Sequence, residues 1–332
     1  MAQPLITDPL DADAPPDRLD LRSLNDLAHR LRCSRTEIES VAEVAGRYYQ
    51  PFEKRPKPRW FAKKAKPSKS RTIDNPTDDL RHLQDRVQKY LLKPLTFPFY
   101  LCGGVKGRSV IDNVAMHVGA PVLVTLDIRS FFPSIRHAQV YGIWADLLGC
   151  SPPVADVLTK LTTYKRHLPQ GAPTSSLLAN LVLFTVDAPI RTGCASKEVT
   201  YSTWVDDLAF SGKRATSIIE TAVNALRQGG FSVSHKKLRI MGNGGRMILN
   251  GVLVGRFPAV LPQRISQLRS GIHKIETHEV PPECMVAYCN SLRGAIQNIA
   301  VIAPLKAARL QTQLNDALKL HGVAPPRAAA AR

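Results

Sequence analysis

Two acidic residues stand where a folding chain tolerates them least. Tyr201-Ser202-Thr203-Trp204-Val205 is β-branched and aromatic, Leu208-Ala209-Phe210 is apolar again, and Asp206 and Asp207 lie between them. The pattern predicts a hairpin that turns at the carboxylates. A tight turn explains one Asp, but two acids between apolar runs repel by roughly 4 kcal/mol at 4 Å and an effective dielectric of 20. A solvated Asp-Asp turn is the commoner fate of such a doublet. The alternative is a cation at the turn, for which a divalent metal is the simplest choice.

A partner for the doublet appears in Val122-Leu123-Val124-Thr125-Leu126-Asp127, where five β-branched or apolar residues run straight into an acid. A buried strand that delivers a carboxylate from its end has this form, as does a strand that merely ends in Asp. Together Asp127, Asp206 and Asp207 make three carboxylates on two strand segments, the ligand set of a two-metal phosphoryl-transfer site. One ion would lower the pKa of an attacking hydroxyl while the other neutralises the leaving pyrophosphate.

Phe131-Phe132-Pro133-Ser134-Ile135, then Leu168-Pro169-Gln170-Gly171-Ala172-Pro173-Thr174-Ser175, then the Asp-Asp hairpin follow in that order. This succession resembles reverse transcriptases, and its middle string is most similar to the bacterial retron branch. The resemblance covers residues 59–255. It implies an α+β right-hand polymerase with an antiparallel palm sheet, fingers and a helical thumb. The expected organisation is a flexible tail over 1–19, helices over 20–58, fingers and palm over 59–255, a thumb over 256–322 and a flexible tail over 323–332. The implied activity is RNA-directed DNA synthesis from dNTPs, in antiviral defence, with two Mg2+ ions (Mn2+ being possible) on Asp127, Asp206 and Asp207.

The same resemblance implies further roles. Trp60-Phe61-Ala62, the lysine-bearing loop 63–70 and Arg71-Thr72-Ile73 would form fingertips that close over the triphosphate, with Arg71 on the phosphates; a solvated basic turn has the same composition. Asn75 and Pro76 read as a helix cap and first turn. Phe132 would lie under the incoming sugar, Gln170 beside the nucleotide, and Lys237 at the leaving pyrophosphate. Gly103-Gly104-Val105-Lys106-Gly107 lacks the ending of a P-loop and leads instead into Asn113-Val114-Ala115-Met116-His117, similar to a retron signature. Asn113 and His117 are therefore candidates for RNA contact, against a plain helix cap and a satisfied polar residue. Two positions depart from the family: Trp204 replaces a Tyr, and Leu249-Asn250-Gly251 stands where retron enzymes carry Val-Thr-Gly. Trp204, Asn250 and Gly251 remain candidate nucleic-acid contacts, joined by Arg264 and Arg269 on the basic face of a C-terminal helix.

Charge supports a polyanion partner: 45 Lys and Arg against 27 Asp and Glu give a net +18. Such an excess favours nucleic acid through counterion release at phosphates, and solubility alone needs less. The expected partners are a template and primer RNA, structured and non-coding, the RNA–DNA duplex, and a separate effector protein. Six cysteines lack zinc spacing and read as reduced core thiols. No run of 18 apolar residues and no signal segment are present, so a cytoplasmic chain without a membrane association is expected. Two rivals stand beside this reading. One is an abortive-infection-type polymerase that makes DNA without a template, and the other is a non-catalytic nucleic-acid-binding scaffold.

Overall fold

The computed structural model describes residues 15–54, 70–242 and 244–320, which fall into two compact units divided after Met247. The chain is mixed helix and antiparallel sheet.

In the first unit, Ser23 and Asp26 form a reciprocal capping box for α1 (Leu24–Leu31), and Ser34 accepts the Glu37 N–H to start α2 (Arg35–Glu43). The Leu19 N–H donates to the Leu148 carbonyl at 2.8 Å, so the expected tail is already docked at that residue. β1 (Tyr49–Lys54) then pairs antiparallel with β2 (Arg71–Pro76), Lys54 opposite Arg71. This corrects two expectations: Tyr49–Lys54 is a strand inside the segment read as helical, and it supplies the partner of Arg71-Thr72-Ile73. Trp60-Phe61-Ala62 and loop residues 63–69 lie outside the described residues. Asn75 and Pro76 do not begin a helix, because they are paired with Gln50 and Tyr49. Helix α3 (Asp78–Val87) follows Thr77, whose hydroxyl donates to the Tyr48 carbonyl at 2.8 Å.

Helix α4 (Val110–Ala115) is capped by Ser109 with Asp112, which leaves Asn113 inside the helix and not at its cap. β3 (Val122–Asp127) enters the main sheet, followed by α5 (Phe131–Ser134), α6 (His137–Gly142), α7 (Pro152–Thr162), α8 (Ser175–Val186) and α9 (Ala188–Ser196). β4 (Thr200–Trp204) and β5 (Asp207–Ser211) form the expected hairpin. Ser217 donates to the Arg214 carbonyl within a 3-10 turn, and α10 (Ile219–Gln228) begins after it. β6 (Arg239–Gly242) completes a four-stranded antiparallel sheet of order β4-β5-β3-β6. The core beneath it is filled by α8, where Leu177, Leu178, Leu181, Val182 and Leu183 are buried. Every buried CH2 there contributes about 0.8 kcal/mol.

The second unit begins with β7 (Met247–Leu249), β8 (Val252–Val254) and β9 (Pro258–Val260) in one small sheet. Three helices follow, α11 (Pro262–Glu276), α12 (Met285–Ala300) and α13 (Pro304–Leu320), around Leu268, Ile272, Ile275, Leu292, Ile296, Leu310 and Leu314. The Tyr288 hydroxyl donates to the Gly271 carbonyl at 3.0 Å and ties α12 to α11. From Ile248 onward this sheet groups with the helices. Among the described residues no single helix is long and apolar enough to cross a membrane.

Candidate active site

Asp127 ends β3 directly opposite Asp207, the first residue of β5, and Asp206 stands in the turn between β4 and β5. The Ile128 N–H donates to the Asp206 carbonyl at 2.9 Å, so the turn is pinned to the end of β3. Val205 in that turn has φ 60°, a left-handed conformation that costs a β-branched residue about 1–3 kcal/mol. The strain is held from below by Gly103. A Cβ at Gly103 would lie 2.5 Å from both the backbone N and the Cγ2 of Val205, so only glycine fits. Its carbonyl accepts from Asn180 Nδ2 at 2.7 Å, and Leu101 forms a parallel bridge to Thr203. The glycine-rich segment is therefore a buttress under the Asp-Asp turn.

Electrostatics make this end of the sheet unstable on its own. Burial, then the charges of Asp206 and Asp127, push the Asp207 carboxyl up to about 6. Asp206 is likewise raised, first by burial and also by Asp127, with Lys237 and Arg71 acting the other way. Lys237 Nζ reaches Asp127 Oδ2 at 2.5 Å, an ammonium 60% exposed against a carboxylate 7% exposed. Among the described residues no three His, Cys, Asp or Glu side chains close on one point as a finished metal cage. The donors suit a hard divalent cation all the same: three carboxylates from adjoining strand ends, two of them pushed toward protonation first by burial and then by their carboxylate neighbours.

Gln170 is fixed to β2. The Asp74 N–H donates to the Gln170 carbonyl at 2.9 Å, and the Gln170 N–H donates to Asp74 Oδ2 at 3.3 Å. His167 Nε2 lies 3.4 Å from the same carboxylate oxygen. Gly171 has φ 129°, and a Cβ there would sit 2.6 Å from Ile73 Cγ2. The Gln170 loop and the strand that starts at Arg71 are thus one body. Asp74 carries this arrangement; its place three residues after Arg71 is the one sequence signal for it. Of the two aromatic residues after Asp127, Phe131 is core at 3% exposure and packs on Phe231, while Phe132 is only partly buried.

The structure does not bring Asn113 and His117 to an RNA-facing surface. They are 1% and 0% exposed and bond to the hairpin. His117 Nε2 lies 2.7 Å from Ser202 Oγ and Nδ1 lies 2.7 Å from Ser211 Oγ, while Ser202 donates to Asn113 Oδ1 at 2.5 Å. Because the Ser202 hydrogen is committed to Asn113, Ser202 accepts from His117 Nε2–H, and Nδ1 accepts from Ser211. Burial pushes this imidazole down to about 4, which keeps it neutral. On the other face of the sheet, Asp187 accepts from the Tyr100 and Tyr201 hydroxyls at 3.2 and 3.1 Å and pairs with Arg191. Burial pushes its carboxyl up to about 7. Nothing in the local sequence around Asp187 distinguishes it from a helix-flanking acid.

Trp204 ends β4 opposite Asp207 and is half-buried. Within the second unit, Asn250 and Gly251 have φ 50° and 78°, as a two-residue hairpin between β7 and β8 requires, so turn geometry already accounts for this pair. Arg264 is half-buried in the first turn of α11 and Arg269 is exposed further along it.

Residues 57–264 match the family described as reverse transcriptase (RNA-dependent DNA polymerase). The chain is 26% identical over 314 residues to the retron Ec86 reverse transcriptase of Escherichia coli, covering 92% of either protein. It is 31% identical over 306 residues to the retron Mx65 reverse transcriptase of Myxococcus xanthus, covering 83% of this chain and 70% of that one. By these matches the chain belongs to the retron-type reverse transcriptases, RNA-directed DNA polymerases.

Proposed function

We propose that the chain copies a structured non-coding RNA into DNA, with Asp127, Asp206 and Asp207 holding two Mg2+ ions, or Mn2+ in their place. The observation that carries this reading is the register of Asp127 against Asp207 with Asp206 in the pinned turn, which gathers three carboxylates at one strand end, two of them raised first by burial and then by neighbouring carboxylates. When bound, the ions would supply Lewis acidity at the attacking 3′-hydroxyl and neutralise the leaving pyrophosphate. The chain's own groups do the rest. Arg71 and the Gln170 loop, joined through Asp74, hold the triphosphate and orient the nucleotide. Phe132 lies under the sugar. Lys237 delivers a proton to the pyrophosphate from its position beside Asp127.

In this reading the four-stranded sheet is the palm, the β1–β2 hairpin belongs to the fingers, and α11–α13 form a thumb on which Arg264 and Arg269 meet duplex phosphates. Trp204 supports the primer end, and the Asn250-Gly251 turn touches the template RNA. The relatives are retron enzymes, which supports a role in phage defence with a separate effector protein. Purification of the chain from its host, followed by sequencing of the bound RNA and any attached DNA, tests all of this. One RNA species with complementary DNA is expected. DNA that matches no RNA would overturn the templated reading in favour of template-free synthesis.

A further inference from the structure

The first unit carries a concavity of about 400 Å³ that shares no residue with the Asp127, Asp206 and Asp207 site. His29, Arg30, Arg32, Lys89, Tyr90 and Pro94 line it, with no acid among them. The Arg32 guanidinium stands 4.9 Å from the centre of the Tyr90 ring, and Lys89 Nζ stands 5.0 Å from it. Like charges gathered round one ring and one hollow are costly unless an anion shares the space.

Arg32 adds a second, independent oddity. It closes the C-terminus of α1 at φ 57° and ψ 45°, its N–H bonded to the last-turn carbonyls. Glycine is the ordinary occupant of such a left-handed cap, because it adopts that backbone without the clash that a Cβ brings. An arginine there carries a conformational cost that glycine would not. The cap is also rigid: Arg86 Nη1 donates to the Leu31 and Arg32 carbonyls at 2.9 and 2.6 Å and fastens the end of α1 to α3. The backbone from which Arg32 reaches over Tyr90 is thus fixed.

We propose that this concavity binds the phosphodiester backbone of the RNA that the chain copies, at a stretch separate from the one in the active site. Cations contributed by two segments, the end of α1 and the turn after α3, match a succession of phosphates better than a single one. An Arg fork and an ammonium close to one phenol ring can take phosphate oxygens and a 2′-hydroxyl together. The inference rests on the reading that a bound RNA is the template.

The test uses the full chain, a labelled hairpin RNA, and a short RNA–DNA primer–template that fills only the active site. Arg32→Gly removes the charge while relieving the cap, so the melting temperature should hold or rise. The triple variant Arg30→Ala, Arg32→Gly, Lys89→Ala removes three cations. Each lost phosphate contact should weaken hairpin binding about eight-fold near 0.1 M salt and lower the salt slope by about 1. Single-turnover dNTP addition on the short primer–template should stay within about two-fold. Unchanged affinity and slope in the triple variant would overturn the proposal, as would an equal loss on the short primer–template. Failure of the parent reading shows elsewhere, as absence of templated product from the wild-type chain.

Discussion

One face of the main sheet carries two polar clusters that answer to opposite rules. Residues opposite one another in the ladder project to the same face, so Asp127 and Asp207 stand at one end of it, and Ser202 and Ser211, beside Ala209, stand at the other. At the serine end His117 and Asn113 close a network in which only Asn113 Nδ2 lacks a partner. At the aspartate end three carboxylates meet Lys237 and the field of Arg71, and burial leaves Asp206 and Asp207 raised. A buried polar group that is paired stabilises; like charges held in register destabilise and call for a ligand. The contrast separates structure from chemistry along a single strand pair.

The sharpest way to break the contrast is to remove a carboxylate. Asp127→Asn or Asp206→Ala should lower single-turnover nucleotide incorporation by at least about a thousand-fold, since several kcal/mol of charge stabilisation are lost. The melting temperature should not fall for Asp206→Ala, whose carboxyl is held raised by burial and by Asp127, whereas Asp127→Asn also gives up the pairing with Lys237. Activity within about ten-fold of wild type would mean that the aspartate end is not the reacting centre.

The serine end should respond in the opposite sense. His117→Ala leaves two buried hydroxyls and a cavity, at a cost of about 2–5 kcal/mol of stability in urea unfolding. RNA affinity of the folded fraction should be unchanged, because neither His117 nor Asn113 reaches solvent. A variant as stable as wild type but weak on RNA would restore the contact that the sequence suggested.

That suggestion shows where sequence reading reaches and where it stops. The acid triad was legible because apolar runs that end in Asp fix both strand type and charge placement. Gln170-Gly171 was legible as a loop for the same local reason. Burial of His117 was not, since a helix of six residues shows no face, and the serines that receive it lie 85 and 94 positions away. The Asn75-Pro76 signal was local and was overridden by pairing with Tyr49 and Gln50. The buttressing role of Gly103 was not legible, because sequence cannot show that Val205 sits against it.

Acid pH separates the two ends next. The His117 imidazole, lowered to about 4 in the fold against 6.5 in the unfolded chain, takes up its proton more readily when unfolded. Its contribution is full above the unfolded value and is lost as pH falls from 6.5 toward 4. Between pH 7 and 5 the loss is about 2 kcal/mol. Asp207, raised to about 6 from 3.8, binds its proton more readily when folded, so its contribution falls as pH rises through that window. Urea unfolding of the metal-free chain across this range should therefore flatten in acid for a His117→Gln variant. An Asp207→Asn variant should gain stability relative to wild type toward neutral pH. Parallel curves for all three chains would refute both assignments.

The smallest test repeats the comparison at two neighbouring rings. Phe131 is buried against Phe231 and is finished by the core, while Phe132 keeps a partly open ring five residues beyond Asp127. If Asp127 fixes the metal and the metal fixes the triphosphate, the ribose stands at a set distance from this segment, and a rigid ring there excludes a 2′-hydroxyl. Phe131→Ala should act as a core defect, costing about 3–5 kcal/mol and slowing every nucleotide alike. Phe132→Ala should instead raise ribonucleotide over deoxyribonucleotide incorporation at least about ten-fold, about 1.4 kcal/mol of discrimination. Single-turnover rates with matched ribo and deoxy substrates give the ratio directly. An unchanged ratio in Phe132→Ala would move Phe132 into the core beside its neighbour and leave sugar selection to another wall of the site.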